Sequence, residues 1–303
     1  MEYTVVLAKD KLLQPDALSV RTQSSLRWTV ACNHLRLLLL GYTAGGSIDE
    51  LEQLLPTVIA NIRTFIDNKI SPRSETPPRN EADTLEITQL DAYVYVFWLL
   101  ALSKLMKHDE FIPQIMKWVD KTATFNRGRD ILFKNVVQAL TGSHVHCEKT
   151  LFHPIPYKPL GRATDVPPDQ RAAYVKEFVE SWYKGMKPTY WHGSHTGGLY
   201  FGYWCLEAAL VTVLFDIDDS SYRDDIVYPK DLVDWYRAHS DPSAKDVPPV
   251  VMLQAKPGEP CPRGGEWSAP FLKKTIRIET GQTMPGPELD SSGNAVTWYR
   301  RND

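Results

Sequence analysis

Between Asp216 and Asp225 the chain places five aspartates in ten residues: Asp216, Asp218, Asp219, Asp224 and Asp225. Carboxylates this dense repel one another and raise a local negative field, which speeds the capture of a basic partner. From Asp216 to Asp234 there are seven Asp against Arg223 and Lys230, a charge of −5; the whole chain carries −3, so everything else sums to +2. The acidity is local. The Asp216-x-Asp218-x-Ser220 spacing imitates the start of a calcium loop. Such a loop needs glycine at its sixth position and a bidentate glutamate at its twelfth, where this chain has Ser221 and Val227. No EF-hand is expected. Part of the cluster also reads as capping, with Ser220 or Ser221 starting a short turn and Asp224 as its early acid.

Other residues could do chemistry. His144, His146, Cys147 and His153 offer nitrogen and sulfur ligands of the kind zinc takes. A His-x-His pair, however, aims both rings one way only on extended chain, and Pro154, Pro156 and Pro159 follow at once. A polar loop is the expectation. His192 and His195, inside Trp-His-Gly-Ser-His, are of a type that moves protons near neutral pH, and Ser194 lies between them. That segment lacks the Gly-x-Ser-x-Gly elbow that exposes a nucleophile. Glu207 sits in an apolar helical pattern that puts Tyr203, Leu210 and Val211 on its side. A buried carboxylate needs a partner, so an inter-helix hydrogen bond is expected. The alternative makes Glu207 a catalytic acid which, with His192 and His195, forms a small metal-dependent hydrolase. Neither a P-loop, nor a Rossmann glycine fingerprint, nor a paired-cysteine motif is present, and a non-enzyme without cofactor or metal is expected.

Periodicity supplies the elements that position these groups. Leu26, Val30, Leu35, Leu38 and Leu39 mark a helix over residues 18–40 stopped by Gly41. Ser47 and Glu50 read as a capping box before a long helix to about residue 70, kinked at Pro56 unless it begins there. Residues 71–83 are a polar, proline-rich loop. Residues 84–106 form a third helix whose middle, YVYVFWLLAL, is apolar all round and suits the centre of a bundle. Shorter helices are expected at 111–122 and 127–141, and residues 142–168 read as a long irregular connection. Asp169 caps a helix striped by Tyr174, Phe178 and Trp182. An apolar helix from Leu199 to Phe215 delivers the acidic knot, and a short amphipathic helix spans Asp231–His239. In the proline- and glycine-rich tail, TIRIE at 275–279 alternates like a strand, with AVTWYR at 295–300 as its hairpin partner. The fold class is therefore mostly α, a multi-helix bundle in two halves. The expected domains are residues 1–145, residues 165–240, and an irregular tail, 241–303, with a small β-hairpin.

At 303 residues the chain can bury a large core without staples. Its slightly negative charge argues against a nucleic-acid binder. Cys32, Cys147, Cys205 and Cys261 are far apart and read as free thiols of a reducing compartment. The longest apolar run, Tyr93–Leu102, is too short to span a bilayer, and MEYTVVLAKDKLL lacks the marks of a signal peptide. A cytoplasmic protein is expected, with its oligomeric state open.

Three segments carry a family resemblance: Gly202-Tyr-Trp-Cys-Leu-Glu-Ala-Ala, Phe215-Asp-Ile-Asp-Asp-Ser-Ser-Tyr-Arg-Asp and Tyr228-Pro-Lys-Asp-Leu-Val. Together they resemble the signature of the PoNi family of bacterial immunity proteins, paired with PoNe-type DNase toxins. The resemblance implies an all-helical protein that binds and neutralises a contact-delivered toxin, often one sent through the type VI secretion system. On that reading Asp218, Asp219, Tyr222, Arg223, Asp224 and Asp225 form or border the toxin-facing surface, Glu207 is a buried polar residue, and loops 142–168 and 240–270 are further candidates for specificity. A non-catalytic helical adaptor is the remaining alternative.

Overall fold

A segment that is apolar all round has no face to give to solvent, and the fold is arranged to enclose one. The computed structural model describes residues 1–14, 17–68, 85–119, 129–142, 150–197, 200–240, 254–269, 274–287, 296 and 298–300. Its helices are α1 (Glu2–Leu12), α2 (Val20–Thr43), α3 (Ile48–Glu52), α4 (Leu55–Asp67), α5 (Leu90–Leu105), α6 (Ile112–Val119), α7 (Ile131–Thr141), α8 (Pro154–Ala163), α9 (Pro168–Gly185), α10 (Leu206–Leu214) and α11 (Lys230–Ala238). Every residue of α5 from Tyr93 to Ser103 is buried. α10, α11 and α6 pack on it, while α2 takes α1 and α4, and α9 lies along α8. One continuous apolar core results, running from Ala31 to Val233. The mostly helical class expected from the sequence is what the structure shows.

Several local expectations are corrected. Gly41 does not end α2, which runs to Thr43. A Cβ there would press on Leu51 Cδ2 at 2.7 Å, so this glycine admits α3 rather than stopping a helix. Ser47 makes no side-chain cap bond, so the capping box does not form. The long helix behind it breaks into α3 and α4, with Pro56 in the first turn of α4, where its missing N–H costs nothing. Asp169 lies in the first turn of α9 and is not its cap. The connection read as irregular holds α8. Its prolines looked like breakers, but Ile155 is non-helical, so Pro156 and Pro159 fall among the first four residues of the regular turns, whose N–H groups have no intrahelical acceptor. The Phe178 and Trp182 stripe is buried as expected, with Tyr174 partly covered.

Past residue 253 the chain builds a second, small core. Strands β1 (Gln254–Ala255), β2 (Gly265–Ala269), β3 (Lys274–Ile278) and β4 (Trp298–Arg300) form an antiparallel sheet in the order β1-β4-β2-β3. The expected pairing of β3 with β4 is wrong, because β2 lies between them and takes both. Trp267 and Ala269 on β2 are inward at period two beside buried Trp298 and Ile278, a strand pattern hidden by the surrounding proline and glycine.

The extended approach to α10 depends on one glycine. Gly202 has φ +101°, and a Cβ there would collide with Thr43 Oγ1 and the Trp204 indole. Thr43 Oγ1 accepts from Trp204 Nε1 at 2.9 Å, and its one hydroxyl proton lies between Leu39 O at 2.7 Å and Phe201 O at 3.0 Å. Gly202→Ala is expected to destabilise the protein by about 3 kcal/mol or more, from backbone strain plus overpacking. A denaturant midpoint equal to that of the unaltered chain would contradict this role.

Candidate functional site

α10 is shorter than its apolar sequence suggests, because residues 200–205 run in extended and irregular form before Leu206. From its end the chain turns through residues 215–229 and comes back to the helix start, where Cys205 N–H donates to Val227 O at 2.8 Å. The aspartates of this loop divide into inward and outward groups.

Asp219 points inward and is 3% exposed. Its Oδ1 accepts from Arg237 Nη1 at 2.9 Å and Arg223 Nη1 at 3.3 Å, and its Oδ2 from the Tyr228 hydroxyl at 3.3 Å. Arg237 also donates to Ile217 O at 3.1 Å, and Arg223 reaches Asp234 Oδ2 at 2.7 Å. Tyr222 is buried as well. Its hydroxyl lies 2.9 Å from Thr212 Oγ1 on α10, and its ring meets Tyr228 edge-on at 5.1 Å. Burial pushes the Tyr222 phenol above its ordinary value, so it stays neutral. Asp219 and Tyr222 are therefore buried beneath the loop's outer face. A carboxylate that must answer two guanidinium groups, and a phenol with an internal partner, are drawn into the fold.

Asp218 and Asp224 remain toward solvent, with Arg223 and Asp225 partly exposed. Asp218 accepts from Ser220 N–H and its hydroxyl, each at 3.0 Å, bonds that hold its carboxyl below the usual range. The capping is thus the reverse of that expected: the aspartate caps the serine. Asp224, with its side chain 83% exposed, pairs with Lys230 at 2.8 Å, which lowers its pKa. Asp225 accepts from Val227 N–H at 3.1 Å. Ile226, between Asp225 and Val227, is 88% exposed, an apolar neighbour of the acidic group that charge counting passes over. Beside the loop a cleft of about 210 Å³ opens against α9, lined by Lys176, Glu180, Ser221, Asp224 and Asp225 among others.

Beneath the loop's helix, Glu207 is fully buried, as its apolar setting implied. Its Oε1 accepts from the Tyr157 hydroxyl of α8 at 2.7 Å. The indole N–H groups of Trp98 on α5 and Trp182 on α9 come near enough to favour its charge, but neither closes into a hydrogen bond, and Oε2 has no partner. Desolvation outweighs these donors and raises the carboxyl to about 7. Glu207 does not meet the histidines of the enzyme alternative at a common point. His192 stacks on Tyr183 with ring centres 4.3 Å apart, and His195 Nδ1 lies 2.9 Å from the Tyr203 hydroxyl. His144, His146 and Cys147 lie outside the described residues; His153 hydrogen-bonds Ile87 O at 2.9 Å. Among the described residues no group of three or more His, Cys, Asp or Glu is placed to hold a metal. Cys32, Cys205 and Cys261 are buried with free thiols, and no helix among the described residues is long and apolar enough to cross a membrane.

Residues 12–117 match the family model of the PoNe immunity protein (PoNi) N-terminal region, and residues 128–232 match that of the C-terminal region. The chain belongs to the PoNe immunity protein (PoNi) family. Its fold is similar to that of protein PA2201 from Pseudomonas aeruginosa, with a TM-score of 0.58 and 24% identity, covering 78% of this chain and 86% of that one. No curated protein matches the chain.

Two stability measurements follow from this geometry. Asp219→Ala leaves two arginines and the Tyr228 hydroxyl without their common acceptor; because both arginines keep some solvent, the expected loss is about 3 kcal/mol in chemical denaturation. For Glu207, folding raises the pKa from its ordinary 4.5 to about 7. Between those values the native state keeps a proton that the unfolded chain has released. The group's contribution to stability is thus full below about pH 4.5 and is lost as pH rises through about 7, a swing of about 3 kcal/mol at most. Urea unfolding at about pH 5 and about pH 8 is expected to show a smaller pH difference for Glu207→Gln than for the unaltered chain.

Proposed function

We propose that the chain binds and neutralises a PoNe-type nuclease toxin delivered to neighbouring cells through the type VI secretion system, acting in the cytoplasm of the protected cell. The match to both PoNe immunity family models is the observation that carries this reading. A nuclease must hold phosphate, so its substrate cleft is basic. The outward face of the 215–229 loop suits such a cleft, with Asp218, Asp224 and Asp225 supplying the field and Ile226 an apolar anchor. Arg223 borders that face and fixes its inner side through Asp219 and Asp234. Inhibition by occlusion requires no catalytic group on this chain, and Glu207, Asp219 and Tyr222 then hold the frame without touching the toxin.

Co-expression with a PoNe-type nuclease toxin, followed by binding kinetics on the purified pair, tests the proposal. The double substitution Asp224→Lys, Asp225→Lys is expected to slow association about tenfold at low ionic strength, with a smaller effect as salt rises. Asp224→Lys alone breaks only the Lys230 pair of the described contacts, so it separates a charge effect from a disturbed turn. Ile226→Ala is expected to speed dissociation. Unchanged protection and unchanged affinity in the folded double variant would sink the assignment of this face.

A further inference from the structure

A second charged cleft lies on α2, away from the acidic loop in sequence. Trp28, Thr29, Cys32, Asn33, Arg36 and Tyr190 line an open space of about 320 Å³. Arg36 is the cation in it. Its Nη2 donates to the Tyr190 hydroxyl at 2.6 Å and its Nη1 to Asn33 Oδ1 at 3.3 Å, while Nε is buried with no partner. Among the described residues no carboxylate pairs with this guanidinium. The groups that act on its charge are Tyr95, Tyr190 and Cys32. All three are neutral near pH 7, since burial raises the Cys32 thiol to about 12 and holds both phenols above their ordinary value. Asp91 lies near the Tyr190 backbone N–H, which favours its charge, but its buried Oδ1 closes no hydrogen bond, and it is not among the groups that act on Arg36. The Arg36 guanidinium is 5.3 Å from the Tyr190 ring centre and 5.7 Å from that of Phe201, so aromatic faces hold it in place.

We propose that this cleft binds a carboxylate, carried on a partner's side chain or as a small free acid. A partly buried cation surrounded by neutral groups lacks its counter-charge, and a planar guanidinium matches a planar carboxylate. One cation balances a monoanion, whereas a phosphate dianion calls for more positive charge than these lining residues carry. Trp28 is half-buried and Tyr190 exposed, leaving aromatic surface for the carbon stem of the acid. Trp, Tyr and Arg are also the residues in which interface binding energy concentrates.

Benzoate titrated into the full chain, read at the Arg36 side-chain Nε–H resonance by NMR, is the direct test. Saturable binding in the millimolar range is expected, at least tenfold weaker for neutral benzamide, and weaker for inorganic phosphate than for benzoate. Arg36→Met, observed through the indole N–H resonances, is expected to lose benzoate binding, and Arg36→Lys to keep a weakened form of it. Benzamide binding as well as benzoate, phosphate binding more tightly, or Arg36→Met binding benzoate unchanged overturns the proposal. Should Arg36→Met fail to fold, the three-ligand comparison on the unaltered chain decides alone. The source of the acid is read from the toxin complex. Competition by benzoate, together with weakening by Arg36→Lys, assigns it to a toxin side chain; a complex insensitive to both assigns it to a free acid. Only this last arm rests on the immunity reading, so a chain that binds benzoate and no toxin separates the two conclusions.

Discussion

A carboxylate at the centre of an apolar core constrains everything packed around it. Glu207 on α10 meets the Tyr157 hydroxyl from α8 and lies near the indole N–H groups of Trp98 on α5 and Trp182 on α9. Tyr157 supplies the one hydrogen bond that closes, the two indole N–H groups face the carboxyl without closing, and four helices meet at this single polar group. Breaking that junction would leave a buried acid without a partner, a cost that apolar contacts alone do not impose. The start of α10 is thereby placed, and with it the loop that leaves its far end and returns to Cys205.

The acidic loop then has an inner and an outer side with different work. Asp219, with Arg223, Arg237 and Tyr228, makes an internal electrostatic clasp, while Tyr222 is pinned to Thr212. Five aspartates that seem redundant as a charged patch are not equivalent once one of them neutralises two arginines. The loop reaches solvent already shaped, so little ordering entropy is left to be lost when a partner docks.

Much of this was legible in the residues. The apolar segment at 93–102 demanded a central helix, the Phe178 and Trp182 stripe demanded burial, and Glu207 in an apolar face demanded a polar neighbour. What escaped was non-local. Nothing in the spacing of Asp218, Asp219, Asp224 and Asp225 says which one turns inward, because the deciding cations include Arg237, eighteen residues beyond Asp219. Proline spacing concealed α8, since a proline's meaning depends on whether it falls in a first turn or an interior one. Arg36 carries no signal within its own helix, because Tyr190, which lies against it, is 154 positions away.

The separation of roles within the loop bears on how such a protein can change. Asp224 and Ile226 project to solvent, Asp224 held only by Lys230, while the loop around them is tied to α10 and α11 through Tyr222 and Asp219. Replacing either projecting side chain removes no core contact and leaves no buried charge. The frame is thus permissive at its tips and intolerant at its root; on the binding face proposed above, new partners can be explored by exchanging a few surface groups without searching again for a fold.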